Sequence, residues 1–148
     1  MPSSSKSRRV ILELLQDCSG SSCFAELGSG WGSLVIPMAR RNPGKTIIGY
    51  ELSPVPYLVS RLLKRLYRLD NLVLYRKDFL YADLTAVDCL VCYLYPGGME
   101  QLWHKLKQEK LCATVISNTF AFVGIEPERL VRAADLYNSP IYVYNVTR

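Results

Sequence analysis

Short apolar runs alternate with longer amphipathic stretches along most of this chain of 148 residues. The apolar runs are continuous rather than alternating with polar residues, which favours parallel strands that are covered on both faces. They predict strands over residues 23–27, 46–51, 72–77, 88–95 and 113–120. The stretches that follow the first, second and fourth strands have apolar residues at helical spacing and predict helices over residues 33–41, 55–69 and 98–109.

The start of the chain adds one more helix to this alternation. Residues 4–17 begin with serines that suit an N-cap, and the apolar side chains then recur at helical spacing, at Val10, Ile11, Leu14 and Leu15. Pro37 falls inside the predicted helix 33–41, so we expect it to kink that helix or to shift its start.

The end of the chain predicts an antiparallel pair. Residues 140–146 indicate a strand, and residues 129–136 are its expected partner through a turn at Asn138 and Ser139. The whole pattern predicts an α/β fold that is Rossmann-like, with a mostly parallel, doubly wound sheet and a C-terminal antiparallel strand pair. The length favours a single domain over residues 1–148.

The first predicted strand ends at an acid and continues into a turn with glycine at every second position, Glu26-Leu27-Gly28-Ser29-Gly30-Trp31-Gly32. Glycine allows positive φ angles and a close approach of the backbone to a ligand. The spacing differs from the dinucleotide pattern G-x-G-x-x-G, because Ser33 stands where the third glycine is expected. The pattern E-x-G-x-G-x-G resembles instead the first motif of class I S-adenosylmethionine-dependent methyltransferases.

Acids also end the next two predicted strands. S-adenosylmethionine carries an ammonium and a sulfonium, which favour a nearby carboxylate such as Glu26. Glu51 ends the second strand, where an acid in a doubly wound sheet lies beside the ribose of the ligand. The methyltransferase resemblance implies that Asp78 receives the adenine amino group and that Phe79 lies against the ring. Such acids also serve as helix caps, but their recurrence at three strand ends favours a ligand site.

The resemblance implies a binding site for S-adenosyl-L-methionine that is formed by Glu26, Gly28, Ser29, Gly30, Glu51, Leu52, Asp78 and Phe79. Tyr95 follows the fourth strand, in Tyr95-Pro96-Gly97-Gly98, and is expected to line the methyl-transfer channel as the catalytic residue. Methyltransferases of N6-adenine and of glutamine carry Asn/Asp-Pro-Pro-aromatic at this place. The absence of an amide or acid here disfavours that chemistry.

Over nearly its whole length the chain resembles the small lysine methyltransferases of ATP synthase subunit c and the adenine nucleotide translocase, with their prokaryotic relatives. The similar segments are Pro2–Ser5, Glu26–Gly30, Gly49–Pro54, the Tyr95–Pro96 turn with Met99 and Leu102, and Val115–Phe120. The resemblance implies an enzyme that methylates a protein amino group, that of lysine. The mitochondrial members have an apolar segment ahead of the domain, and Trp31 replaces an acidic residue of the glycine turn.

Two other functions are compatible with the residues. The predicted helix 55–69 carries four basic residues, Arg61, Lys64, Arg65 and Arg68, in a chain of net charge +5, which suits an RNA methyltransferase or RNA-binding protein. We expect instead an amphipathic helix whose leucines, Leu58, Leu62, Leu66 and Leu69, cover the sheet while the basic residues face water. A non-catalytic S-adenosylmethionine-binding module is the other alternative, since no acid or amide accompanies Tyr95.

Cysteine and histidine usage predicts no metal site. The five cysteines are an odd number without a secretory signal, so reduced thiols and a cytoplasmic protein are expected. Cys89 and Cys92 lie three residues apart on a predicted strand and therefore point to opposite faces. His104 is the only histidine and is expected to be a solvated helix residue. No apolar run reaches the roughly 20 residues of a membrane-spanning helix.

Overall fold

The computed structural model describes residues 4–18 and 20–147. Pro2 and Ser3, where the resemblance to the lysine methyltransferases begins, lie outside the described residues. The helices are α1 (Ser5–Gln16), α2 (Val35–Arg41), α3 (Pro54–Leu66) and α4 (Pro96–Gln108), with a 3-10 turn at Phe79–Tyr81. The strands are β1 (Cys23–Leu27), β2 (Thr46–Tyr50), β3 (Leu72–Tyr75), β4 (Cys89–Cys92), β5 (Ala113–Asn118), β6 (Arg129–Arg132) and β7 (Pro140–Val146).

The seven strands form one sheet in the order β3-β2-β1-β4-β5-β7-β6. The first five are parallel, and β7 pairs antiparallel with both β5 and β6. Ala25, in the central strand β1, is opposite Ile48 of β2 on one side and Leu90 of β4 on the other. The strand order reverses between β1 and β4, and ligands of open α/β sheets bind at the carboxyl ends of the strands at such a point. The predicted fold class is confirmed.

A hydrophobic core covers each face of the sheet. One core contains α1, α2 and Cys89, and the other contains α4 and Cys92, so the two cysteines point to opposite faces as predicted. Ile11, Leu14 and Leu15 of α1 are buried, which confirms the predicted apolar face of that helix. The Ser4 hydroxyl accepts a hydrogen bond from the Ser7 N–H at 3.1 Å and is the expected N-cap.

Several predicted elements are too long, and the differences cluster at the carboxyl edge of the sheet. The fourth strand ends at Cys92 instead of residue 95, because residues 93–95 form the connection to α4, which begins at Pro96. The third strand ends at Tyr75 instead of residue 77. Helix α2 begins at Val35 instead of residue 33, which places Pro37 in its first turn, where a missing N–H costs no helical hydrogen bond.

Helix α3 contradicts the prediction for its leucines. Leu58, Leu62 and Leu66 are exposed, and the only buried residue within the helix is Ser60. Leu69, beyond the end of the helix, is buried as expected. The sheet beneath is covered by Leu63 and by neighbouring elements, so the regular leucine spacing marks the outward face of this helix.

Two further observations concern membranes and metals. No helix within residues 4–18 and 20–147 is long and apolar enough to cross a bilayer. Nowhere in the described part of the chain do three or more His, Cys, Asp or Glu side chains come together as a metal site requires. His104 is exposed on α4 and lies 3.7 Å from the Glu100 carboxylate.

Candidate active site

The glycine turn, residues 28–32, connects β1 to α2 and is fixed to the end of β2. Gly28 and Gly30 have φ angles of 83° and 56°, a conformation that favours glycine. The N–H groups of Gly28 and Ser29 both donate to the Tyr50 carbonyl, each at 2.9 Å. The glycines are therefore required by the backbone path, and the turn lies at the switch point of the sheet.

Glu51 holds this turn from the end of β2. Its Oε1 accepts from the Gly30 N–H at 2.7 Å, and its Oε2 accepts from the Ser53 N–H at 2.9 Å. On the other side of the turn, the Ser60 hydroxyl of α3 donates to the Gly30 carbonyl at 2.9 Å. Each carboxylate oxygen has two lone-pair positions, so Glu51 retains acceptor capacity for a ligand while it stabilises the turn.

Glu26 and Ser29 line a first cavity of about 360 Å³ above the end of β1. Among the described residues, the two buried side-chain polar atoms that have no hydrogen-bond partner are Glu26 Oε1 and Ser29 Oγ. Buried polar groups are nearly always paired, so two unpaired atoms in one cavity indicate a place for a polar ligand. Glu51 and Gly30 also line this cavity.

Burial raises the pKa of Glu26 well above its usual range, and the negative charge of Glu51 acts in the same direction. The Val35 backbone N–H and the positive charge of Arg8 oppose this shift without cancelling it. In these surroundings the neutral, protonated form of the carboxyl is favoured unless a cation lies beside it. The first cavity is therefore an environment that favours a cationic group next to Glu26.

A second cavity of about 230 Å³ shares Gly28 and Glu51 with the first. Its other lining residues include four predicted site residues, Leu52, Asp78, Phe79 and Tyr95. The Asp78 Oδ1 accepts from the Leu80 N–H at 3.0 Å, so this carboxylate also caps the 3-10 turn. The two cavities together bring all nine sequence-predicted site residues to one cleft along the carboxyl edge of the sheet.

Tyr95 and Tyr93 lie at different parts of this cleft. Tyr95 lines the second cavity, and a Cβ added to Gly97 would lie only 2.7 Å from its ring, so the ring folds over the first turn of α4. Tyr93 lines the first cavity beside Glu26, with its ring centroid 6.1 Å from that of Phe120. The sequence interpretation missed Tyr93 because it placed this residue inside the predicted strand 88–95, whereas β4 ends at Cys92.

Arg8 is the second residue that the sequence interpretation missed. It is partly buried and extends from α1 into the first cavity, where its charge acts on Glu26. Helical spacing separates it from its neighbour Arg9: Arg8 lies three and seven residues before the buried Ile11 and Leu15, whereas Arg9 is exposed. Only the packing of α1 against the sheet decides that this edge of the helix faces the cavity.

Comparison with known proteins gives this cleft a context. Residues 26–129 match the family described as the ANTKMT methyltransferase domain, which is more than half of the chain. No curated protein sequence matches the chain.

Solved structures share its fold. The crystal structure of an RNA methyltransferase from Salinibacter ruber in complex with S-adenosyl-L-homocysteine is 25% identical; the match covers 100% of this chain and 95% of that one, with a TM-score of 0.86. The magnesium protoporphyrin IX methyltransferase from Synechocystis PCC 6803, with bound S-adenosylmethionine, is 15% identical over 93% of this chain and 77% of that one, with a TM-score of 0.73. The chain belongs to the ANTKMT methyltransferase domain family and is an S-adenosylmethionine-dependent methyltransferase.

Proposed function

We propose that the cleft binds S-adenosylmethionine with its methionine end in the first cavity and its adenosine in the second. The observation that carries this assignment is the pair of unpaired buried atoms, Glu26 Oε1 and Ser29 Oγ, in the cavity where the ammonium would lie. An ammonium supplies the hydrogen-bond donors and the positive charge that these atoms lack. The cofactor brings an activated methyl group, and this chain has to hold and orient both reactants.

Each remaining predicted residue has a role in this arrangement. Gly28 and Gly30 let the backbone approach the cofactor, and Glu51 accepts hydrogen bonds from the ribose hydroxyls at the junction of the two cavities. Asp78 accepts from the adenine amino group. The adenine ring lies among apolar side chains of the second cavity, Leu52, Phe79, Leu80 and Leu94. Arg8 pairs with the carboxylate of the methionine moiety, since it is the arginine that reaches the first cavity.

We infer that the acceptor is a protein amino group, that of a lysine side chain. The family match over residues 26–129 supports this class of acceptor, together with the resemblance to lysine methyltransferases. Tyr93 and Tyr95 follow β4 and provide aromatic walls on either side of the place where the two cavities meet. Aromatic walls desolvate an incoming ammonium, which lowers the lysine pKa and favours the neutral nucleophile that methyl transfer requires.

RNA is the second candidate acceptor. The Salinibacter ruber neighbour, which covers this chain completely, is described as an RNA methyltransferase. The basic residues of α3 and the net charge of +5 are compatible with such a substrate.

Incubation of the protein and a cell extract with methyl-labelled cofactor distinguishes these acceptors. Label in protein that survives nuclease treatment and is recovered as methyllysine supports the proposal. Label that is released by nuclease moves RNA to first place, and label in neither leaves a cofactor-binding module. Glu26→Gln is the variant expected to reduce labelling through weaker cofactor binding, and a substitution of an exposed acid of α1, Glu13→Gln, is the matched control.

Cofactor class is tested separately by calorimetry. S-adenosylmethionine and S-adenosylhomocysteine should bind, whereas NAD should not, because the glycine spacing and Glu26 suit a ligand without phosphates. Tight binding of NAD would overturn the assignment of the two cavities.

A further inference from the structure

The outward face of α3 carries a continuous apolar row, the leucine stripe, formed by Val55, Leu58, Leu62 and Leu66. All four side chains are between 58% and 68% exposed. They recur every three or four residues, so they lie on one face of the helix. A single exposed leucine is ordinary, but a contiguous exposed apolar surface on a helix indicates an interaction site.

Basic residues accompany the leucine stripe. Arg61, Arg65 and Arg68 are exposed and Lys64 is partly exposed, and residues 52–69 contain no aspartate or glutamate. The partner of this face has to accept apolar side chains and provide negative charge at the same time.

We propose that α3 docks on the surface of a membrane that contains anionic lipids. Leucines of an interfacial helix enter the boundary between headgroups and acyl chains, while long arginine and lysine side chains reach the lipid phosphates. RNA satisfies the cations but leaves the leucine stripe in water. A second copy of this chain covers the leucines but brings the same cations against each other.

Docking through α3 has a consequence for the cleft. Leu52 precedes the helix and lines the second cavity, and Pro56 in its first turn lines the first cavity. The cofactor cleft therefore opens next to the docked face. This consequence rests on the proposed function, whereas docking itself requires only the leucine stripe and its cations.

Co-sedimentation with vesicles tests the proposal on the full chain. We expect binding to vesicles of phosphatidylcholine with about one-third phosphatidylglycerol, weak binding to phosphatidylcholine alone, and release by salt. The triple variant Leu58→Ser, Leu62→Ser, Leu66→Ser should reduce partitioning by at least about tenfold. The pair Arg61→Gln, Arg65→Gln should reduce it by about 30-fold at low salt, through the loss of two attracted charges.

Matched controls distinguish docking through this surface from nonspecific hydrophobic binding to vesicles. Val123 and Leu136 are 92% and 88% exposed but lie away from α3, so Val123→Ser, Leu136→Ser should keep vesicle binding. Thermal unfolding and cofactor calorimetry on every variant show that the fold and the cleft persist. A stripe variant that loses vesicles but keeps cofactor supports docking, and a wild type that binds vesicles but no cofactor contradicts only the proposed function.

Three results would overturn the docking proposal. The first is a wild-type protein that binds neither vesicle. The second is a self-associated protein that the triple leucine variant converts to monomers, which assigns the stripe to a second copy. The third is retention of RNA that is lost in the arginine pair but unchanged in the leucine variant, with vesicle binding unaffected by both.

Discussion

A glutamate stands at the end of both β1 and β2, but the two side chains differ in their hydrogen bonding. Glu26, at the end of β1, has a buried oxygen without a partner and a raised pKa. Glu51, directly after β2, has both oxygens occupied by backbone N–H groups of the glycine turn and of the residue before α3. Strand-end acids that look alike in sequence therefore differ in the hydrogen-bond partners that the fold provides.

The difference separates two ways of making a ligand site. Glu51 builds the cleft, so its loss should affect both folding and binding. Glu26 is held ready for a cation at a cost to the unliganded protein, so its loss should affect folding and binding in opposite directions. Stability and affinity, measured on the same variants, distinguish the two states.

Glu51→Ala should have the largest effect on binding. Losing charge-assisted hydrogen bonds to two ribose hydroxyls, at about 1.5–3 kcal/mol each, should weaken cofactor binding by roughly 100-fold or more. Loss of the contacts to Gly30 and Ser53 should also lower the free energy of unfolding by about 1–2 kcal/mol. Calorimetry and thermal unfolding measure the two quantities.

Asp70→Ala is the control for this variant, because Asp70 is an exposed acid beyond the end of α3. It should change neither quantity by more than about 0.5 kcal/mol. Unchanged cofactor affinity in Glu51→Ala, together with reduced stability, would limit Glu51 to a structural role.

Glu26→Gln should weaken cofactor binding by roughly tenfold to 100-fold, because an amide does not pair with an ammonium as a carboxylate does. The unliganded variant should be more stable than the wild type at neutral pH, since the cost of burying this acid, either as a charge or through proton uptake, is removed. Glu13→Gln, on the surface of α1, should leave both measurements unchanged. A Glu26→Gln protein that is destabilised would show that the carboxylate supports the fold.

The pH dependence follows from the raised pKa of Glu26. Below the unfolded-state pKa, near 4.3, Glu26 is protonated in both states and carries no ionic cost. As the pH rises towards the higher folded-state pKa, the unfolded chain releases its proton first. The free energy of unfolding therefore falls over this range. Cofactor affinity should rise over the same range, by up to about tenfold for each pH unit, because the ammonium pairs with the ionised form.

Titration of Glu26→Gln sharpens this test. The component of both pH profiles that comes from Glu26 should be absent from this variant and present in Glu13→Gln. If the wild type and Glu26→Gln show the same rise of affinity with pH, another group is responsible for it.

Ser29→Ala should have the smallest effect. Its hydroxyl is buried without a partner in the unliganded protein, so its removal should leave stability unchanged or raise it by less than about 1 kcal/mol. Cofactor affinity should fall only about two- to tenfold, as expected for one neutral hydrogen bond. A larger loss of stability would show that Ser29 is needed to pack against Gly49, whose missing Cβ leaves it room.

The strands and their ends show which features could be predicted from the sequence. The parallel strands and the positions of Glu26, Glu51 and Asp78 were predictable, because strand periodicity and glycine turns are local properties of the chain. The end of β4 was predicted too far along, because Tyr93 and Tyr95 line the cleft instead of extending the sheet. The end of β3 was also predicted too far along, over Arg76 and Lys77.

For helix α3 the element was predicted correctly and its orientation was wrong. Its leucine spacing predicted the right amphipathic helix but placed the wrong face on the sheet, because periodicity defines a face without stating what covers it. Ser60 and Leu63 contact the rest of the protein, and the leucine stripe faces outward.

The sequence by itself determined the α/β alternation, the glycine turn and the three strand-end acids, since each depends on neighbouring residues and backbone conformation. The tertiary structure alone decided that Arg8 lines the first cavity, that Glu26 Oε1 lacks a partner while both oxygens of Glu51 have one, and that α3 turns its leucines outward. Burial, hydrogen-bond pairing and pKa depend on groups brought together from distant parts of the chain, and no local pattern specifies them.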